Sequence, residues 1–288
     1  MNMKKIEDAG CAFENWQNGY LTGWKRIGVG ARPLSALQTY LNEDHDISSV
    51  QFDFNKAYGD SPADMAILAE NEKVSAIQCD AWFQDSSILS RMNNLRSFRD
   101  SVFDRKGLDW DALENLEDLG LYDCHGRSHP KYEKLQNLKS LSTSYLPARY
   151  KTFDQFCGAG IEHLSIRRSP IACFSGLNIM PNLDELHFEG CRKLTSLGLT
   201  GVLPSVRHVR LINCPNLDRF EFICEMPHLQ SLEVEGLGEV KSFEPFLSHP
   251  TLKSVSGVIR KGARMPQSVV QTMPNLEFIS PALVDELS

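Results

Sequence analysis

The 288 residues are 42% hydrophobic and 23% charged, a composition that excludes a disordered polypeptide and supplies a sizeable core. With 30 basic against 37 acidic side chains the formal net charge is −7, which argues against non-specific binding to nucleic acid or an anionic membrane and leaves room for a basic protein partner. No stretch approaches the ~18 apolar residues of a membrane span.

The chain opens Met1-Asn-Met-Lys-Lys-Ile-Glu-Asp8, with two lysines but no apolar run behind them, so no secretory signal is expected. The eight cysteines form no close C-x-x-C pair, and a chain of this length does not need disulfide staples. Reduced thiols in the cytoplasm are the expectation.

Residues 1–46 carry Phe13, Trp16, Tyr20 and Trp24, then an amphipathic run from Pro33 to Glu43, and read as an N-terminal cap. Within them, Trp24-Lys-Arg-Ile27-Gly-Val29 fits as a degenerate first repeat, 23 residues before Ile47. Ser61-Pro-Ala-Asp-Met-Ala-Ile-Leu-Ala-Glu70 has an N-cap residue and a proline at the first helical position, and predicts a helix.

From Ile47 onward one frame recurs. Its first positions are Ile47, Val74, Leu95, Leu116, Leu138, Ile161, Leu183, Val206, Leu229, Leu252 and Leu276. After a first gap of 27, explained by the helix, every spacing lies between 21 and 24. Leu116-Glu-Asp-Leu-Gly-Leu-Tyr-Asp-Cys124, Leu183-Asp-Glu-Leu-His-Phe-Glu-Gly-Cys191 and Val206-Arg-His-Val-Arg-Leu-Ile-Asn-Cys214 all fit L-x-x-L-x-L-x-x-C. Pro181, Pro204, Pro227, Pro250 and Pro274 each stand two residues before a first position, where a residue without a donor suits the entrance to a strand. In a strand over 183–188, Leu186 and Phe188 share one face and Glu185 and His187 the other. Leu194 and Leu197, Leu217 and Phe220, Val240 and Phe243 lie in short return segments, which predict turns or 3-10 pieces rather than full helices.

This phrasing resembles the leucine-rich-repeat family, over residues 47–281, about eleven repeats. The resemblance implies an α/β repeat solenoid: a curved horseshoe with a concave parallel β-sheet and mostly irregular or 3-10 convex segments. It also implies that the ninth-position cysteines turn inward and bond neighbouring backbone. Residues 282–288 are left as a C-terminal tail, a weak cap. Asp100 falls on an inward position, so either a bulge brings Val102 in or the carboxylate is hydrogen-bonded. Gly257 and Pro281 also break the pattern.

No nucleophile elbow, P-loop, H-E-x-x-H or G-x-G-x-x-G is present, so no catalytic residue and no cofactor is assigned. His163, His187 and His208 point outward from consecutive strands, but no carboxylate or cysteine completes a metal site. What remains is the concave face, on a sheet about 50 Å long at ~4.8 Å per strand. Of its three outward columns the first starts Ser49, Ala76, Ser97, Asp118, Ser140, and the face is expected to be wet. The candidate partner-binding residues are Asp80, Arg99, Tyr122, His163, Arg167, Glu185, His187, Glu189, His208, Arg210, Glu233 and Glu235. Arg167, Arg168, Arg210 and the three histidines read as a donating patch, with Glu185, Glu189, Glu233 and Glu235 as an accepting patch beside it.

The resemblance therefore implies a non-enzymatic protein-binding module. The leading expectation is a free-standing inhibitor or neutraliser of a partner protein, a toxin or enzyme domain, as an immunity protein neutralises a cognate bacterial toxin. Its alternatives are a scaffold or secreted effector in host signalling, and an enzyme with an unrecognised site in the N-terminal region.

Overall fold

A five-residue strand with alternate apolar side chains buries one face only when another strand lies alongside, and each repeat supplies that neighbour for the one before it. The computed structural model describes residues 11–15, 25–29, 47–52, 68–79, 86–101, 107–122, 129–153, 160–247, 249–262, 264–273 and 275–284. The amphipathic run 33–43, most of the expected helix at 61–70, Asp53, Asp80, Val102, Cys124 and residues 285–288 lie outside them. The chain divides into two compact units, Met1–Ser140 and Leu141–Ser288.

In the first unit β1 (Cys11–Asn15) pairs antiparallel with β2 (Lys25–Val29), Cys11 opposite Val29. From β2 on the ladder is parallel, through β3 (Ile47–Phe52), β4 (Ala76–Cys79), β5 (Ser97–Asp100) and β6 (Asp118–Leu121). Equal positions of the repeats face each other: Val50, Ile77, Phe98 and Leu119 form one continuous apolar row, and the backbone of Ile27 stands opposite Val50. The Trp24–Val29 segment thus does carry a repeat strand.

β7 (Ser140–Ser144) begins on the last residue of the first unit. In the second unit β8 (His163–Arg167), β9 (Glu185–Glu189), β10 (His208–Ile212), β11 (Ser231–Val240), β12 (Ser254–Gly262) and β13 (Phe278–Ile279) pair in chain order, all parallel. Leu164, Leu186, Val209, Leu232, Val255 and Ile279 make its apolar row, and the first five are buried. An in-register parallel ladder of short repeats, spaced by 21 to 24 residues after the first gap, is the leucine-rich-repeat arrangement, and both units have it.

The returns are short because the repeat leaves few residues for them. Single 3-10 turns serve at Ser87–Arg91, Trp110–Ala112, Tyr132–Lys134, Ala148–Tyr150, Leu177–Ile179 and Glu221–Glu225. Helices at Glu244–Leu247 and Gln267–Val270 have four residues each. Beneath them Phe153, Phe174 and Phe188 pack ring to ring at 5.1 and 5.3 Å, and Phe220 meets Phe246 at 5.1 Å.

Pro181, Pro204 and Pro227 stand in turns and Pro250 in a bend, while Pro274 lies outside the described residues. Pro181, Pro204, Pro227 and Pro250 lie four residues ahead of β9, β10, β11 and β12, so they stand upstream of the strand entrance expected for them. In several repeats the residue just before the first position, which follows the proline where there is one, bonds the preceding repeat. Asn94, Asn115 and Asn137 donate side-chain amides to the turn carbonyls of Glu72, Asn93 and Glu114 at 3.2, 2.8 and 3.1 Å. Ser205 bonds the carbonyl of Pro181, and Thr251 that of Pro227, at the same repeat position. The turn motif is therefore a staple between successive repeats.

Three departures from the pattern resolve locally. Asp100 stays in register between Cys79 and Leu121 and is 1% exposed, so no bulge displaces it within β5. Gly257 takes φ 118 opposite Val234. Pro281 opens a 3-10 turn that buries Leu283.

Candidate functional site

The strands of the second unit alternate buried and partly exposed side chains, so β8–β12 offer one polar face. Because the ladder is parallel and in register, a residue's nearest lateral neighbours are those 22 or 23 positions away. The site is built from such pairs.

Arg167 donates Nη2 to Glu189 Oε1 at 2.9 Å while its Nε lies 2.8 Å from Oε2, a two-point pairing. Arg210 Nε donates to Glu233 Oε2 at 2.7 Å. His163 Nδ1 lies 3.2 Å from Glu185 Oε2, His187 Nδ1 3.2 Å from Ser165 Oγ, and His208 Nδ1 2.8 Å from Ser231 Oγ. The donors and acceptors do not form two adjacent patches, as their sequence positions suggested. They interleave, each cation beside an anion on the next strand, since like charges directly opposite would repel.

Glu235 is exposed and carries no ion pair among the described residues. Two arginines therefore stand against four glutamates in these rows, and the face keeps an acidic excess while its histidines are neutral. Hydrogen bonding from His163 holds the Glu185 carboxyl below its ordinary range. Burial would raise Glu189, but the Arg167 hydrogen bond prevails and lowers it. Burial, and then Arg210, lower His187, whose Nε2 has no hydrogen-bond partner among the described residues and lies 3.9 Å from Glu189 Oε2.

In the first unit the face is different. Ser49, Ala76, Ser97 and Asp118, expected to be wet, are at most 2% exposed, and Ser140 is 5% exposed. Small side chains in that column sink below their larger neighbours. Arg99 donates Nε and Nη2 to Asp118 at 2.9 and 3.1 Å, Ser97 Oγ donates to the same carboxylate at 2.7 Å, and Arg99 Nη1 reaches Tyr122 Oη at 3.5 Å. A side chain at Gly120 would come within 2.9 Å of Arg99 Cγ, so glycine there lets the arginine lie across the sheet. Arg99 and Tyr122 are thus brought together, and Asp80 lies outside the described residues.

Cys191 and Cys214 are fully buried and hydrogen-bond backbone carbonyls of the preceding strands, Ile166 at 3.5 Å and Phe188 at 3.7 Å. The neighbouring Cys214 sulfur and burial push the Cys191 thiol well up. No cluster of three metal-ligating side chains occurs among the described residues. Arg168, grouped by sequence with Arg167, stands beyond the end of β8 with φ 52 and lines a groove along the turns, which meets the rows at Glu189.

No protein-family model matches the chain, and no curated protein matches it. Among solved structures it is similar to a leucine-rich-repeat protein of Leptospira interrogans, 14% identical over 86% of this chain and 74% of that one, with a TM-score of 0.45. It is also similar to an internalin, InlF, of Listeria monocytogenes, 10% identical over 99% of this chain and 85% of that one, with a TM-score of 0.46. Likeness at this level says nothing of function, and the fold rests on the ladder described above.

Proposed function

We propose that the chain is a protein-recognition module that engages a partner protein through the polar rows of β8–β12 and, by occupying it, inhibits or neutralises it. The observation that carries this reading is the set of cross-strand pairs, above all the two-point Arg167–Glu189 contact. Side chains already held by a neighbour lose little freedom on binding, so the face is preorganised. Arginine is the kind of residue that anchors interfaces, and the surplus glutamates favour a partner with a basic surface. A toxin or enzyme domain with a basic active-site rim has that character, and an immunity protein would act in this way.

The Arg210–Glu233 pair offers a clean test. Tagged protein is incubated with extract of its native cells beside three variants: Arg210→Glu, Glu233→Arg and the two combined. The combined variant restores the internal pair with its polarity inverted, so it keeps the fold while changing what a partner meets. A stoichiometric partner retained by the wild type and lost by all three variants is the expected result. Adding the purified protein to that partner should then suppress the partner's activity. If the combined variant retains the partner as well as the wild type does, this face is not the contact. If the wild type retains nothing, the recognition reading fails.

A further inference from the structure

The turns that follow β7 to β10, and the matching point in β11, pass through the left-handed region: Tyr145 (φ 57), Arg168 (φ 52), Gly190 (φ 64), Asn213 (φ 53) and Gly236 (φ 62). All five occupy the eighth position of their repeats. Successive turns are joined by backbone hydrogen bonds, Tyr145 N to Arg167 O at 2.8 Å, Arg168 N to Glu189 O at 2.7 Å and Gly190 N to Ile212 O at 2.7 Å. Glycine is the default at such φ, and asparagine is tolerated. A tyrosine and an arginine are held there against backbone preference, and strain of this kind collects at ligand-holding positions.

Both strained side chains line a groove of about 980 Å³ along this column of turns. Arg168 lies across Gly190, where a Cβ would come within 3.3 Å of Arg168 Cγ. Its Nη1 donates to Tyr145 Oη at 3.2 Å, and its guanidinium sits 5.9 Å from the Tyr145 ring. Arg192 and Lys193 line the same groove, both exposed, and neither has an ion pair among the described residues. The carboxylate in the lining, Glu189, is already engaged at both oxygens by Arg167. Three cations therefore converge on one groove of a chain whose formal charge is −7.

We propose that this groove binds a short acidic peptide segment of a partner protein. The column from Tyr145 to Gly236 covers four inter-strand steps, about 19 Å at ~4.8 Å each. That is the length of about six extended residues. Carboxylates suit the arginine forks and the lysine ammonium. A nucleic-acid strand, charged at every phosphate, needs a longer basic track than three side chains and is repelled by the acidic remainder of the chain.

The test uses the full chain and fluorescein-labelled hexaglutamate, read by anisotropy at low salt. Saturable one-site binding is expected, weakened roughly ten-fold or more by the combined Arg192→Glu and Lys193→Glu variant. Arg168→Gly should weaken binding to a similar degree while melting no lower than wild type, because glycine relieves the backbone at that position. Arg210→Glu, outside the groove lining, should bind the peptide as wild type does, so loss of the sheet-face reading leaves this one standing. Absence of saturable binding, or undiminished binding by the groove variants, overturns the proposal. So does tighter saturable binding of a labelled thymidine hexanucleotide through the same residues.

Discussion

Gly257 stands where its repeat calls for an apolar side chain because no side chain fits. At φ 118 an added Cβ would lie 1.6 Å from the Val234 carbonyl oxygen on the neighbouring strand. Gly257→Ala should therefore cost about 3 kcal/mol or more through backbone strain and displaced strands, read as a fall in the urea midpoint. Arg168 is the converse case: a side chain is retained where glycine would be easier, at about 1 kcal/mol for the left-handed backbone. The ion pairs differ as sharply by burial. The Arg99 and Asp118 side chains are 17% and 3% exposed, and removing the carboxylate in Asp118→Ala strands a buried guanidinium, a loss of about 3 kcal/mol. Arg210 and Glu233 are 45% and 36% exposed, so a double-mutant cycle on them should return less than about 1 kcal/mol of coupling. Equal coupling in the two pairs would contradict this assignment of one as structural and the other as a displayed surface.

At the level of the strand and its turn, period carries far and then stops. The frame L-x-x-L-x-L places Leu164, Leu186, Val209 and Leu232 inward, and all four are buried. The short returns follow from the 22–23-residue spacing, which has no room for a long helix. Lateral charge pairs were not read from the sequence, which suggested two patches, although Arg96, Glu117 and Lys139 share one repeat position and pair in turn at 3.2 and 2.9 Å. The Pro-Asn and Pro-Thr turns were visible as a motif, but their purpose was not, because the bond runs to a carbonyl one repeat away. Two things lay beyond the pattern. Exposure of an outward position depends on the size of its neighbours, so Ser97 and Asp118 sink while His163 and Arg210 do not. Backbone handedness depends on the turn, so Arg167 and Arg168, adjacent in sequence, serve different surfaces.

Across the whole molecule, buried imidazoles tie stability to pH. Burial lowers His249 below its ordinary value of 6.5, while its Nε2 donates to the carbonyls of Ile223 and Met226 at 3.2 and 3.1 Å and its Nδ1 faces the Thr251 amide at 3.5 Å. That geometry describes a neutral ring. His187 is lowered too, by burial first and Arg210 next. For a base whose folded pKa is depressed, the unfolded chain takes up the proton first as pH falls through 6.5. The stabilisation is therefore complete above that value and is lost progressively below it. Glu185 works in a lower window: held down by His163, it contributes fully above its ordinary 4.5 and is lost only as pH falls through its lower folded value. The urea midpoint should accordingly be flat above about pH 7.5 and decline between about 6.5 and 5.5, before carboxylates begin to titrate. His249→Gln combined with His187→Gln should lower the midpoint overall yet flatten that decline. A decline of the same size in the double variant would place the acid sensitivity elsewhere in the chain. A flattened one would assign the acid sensitivity to these two rings, which burial holds neutral in the folded chain.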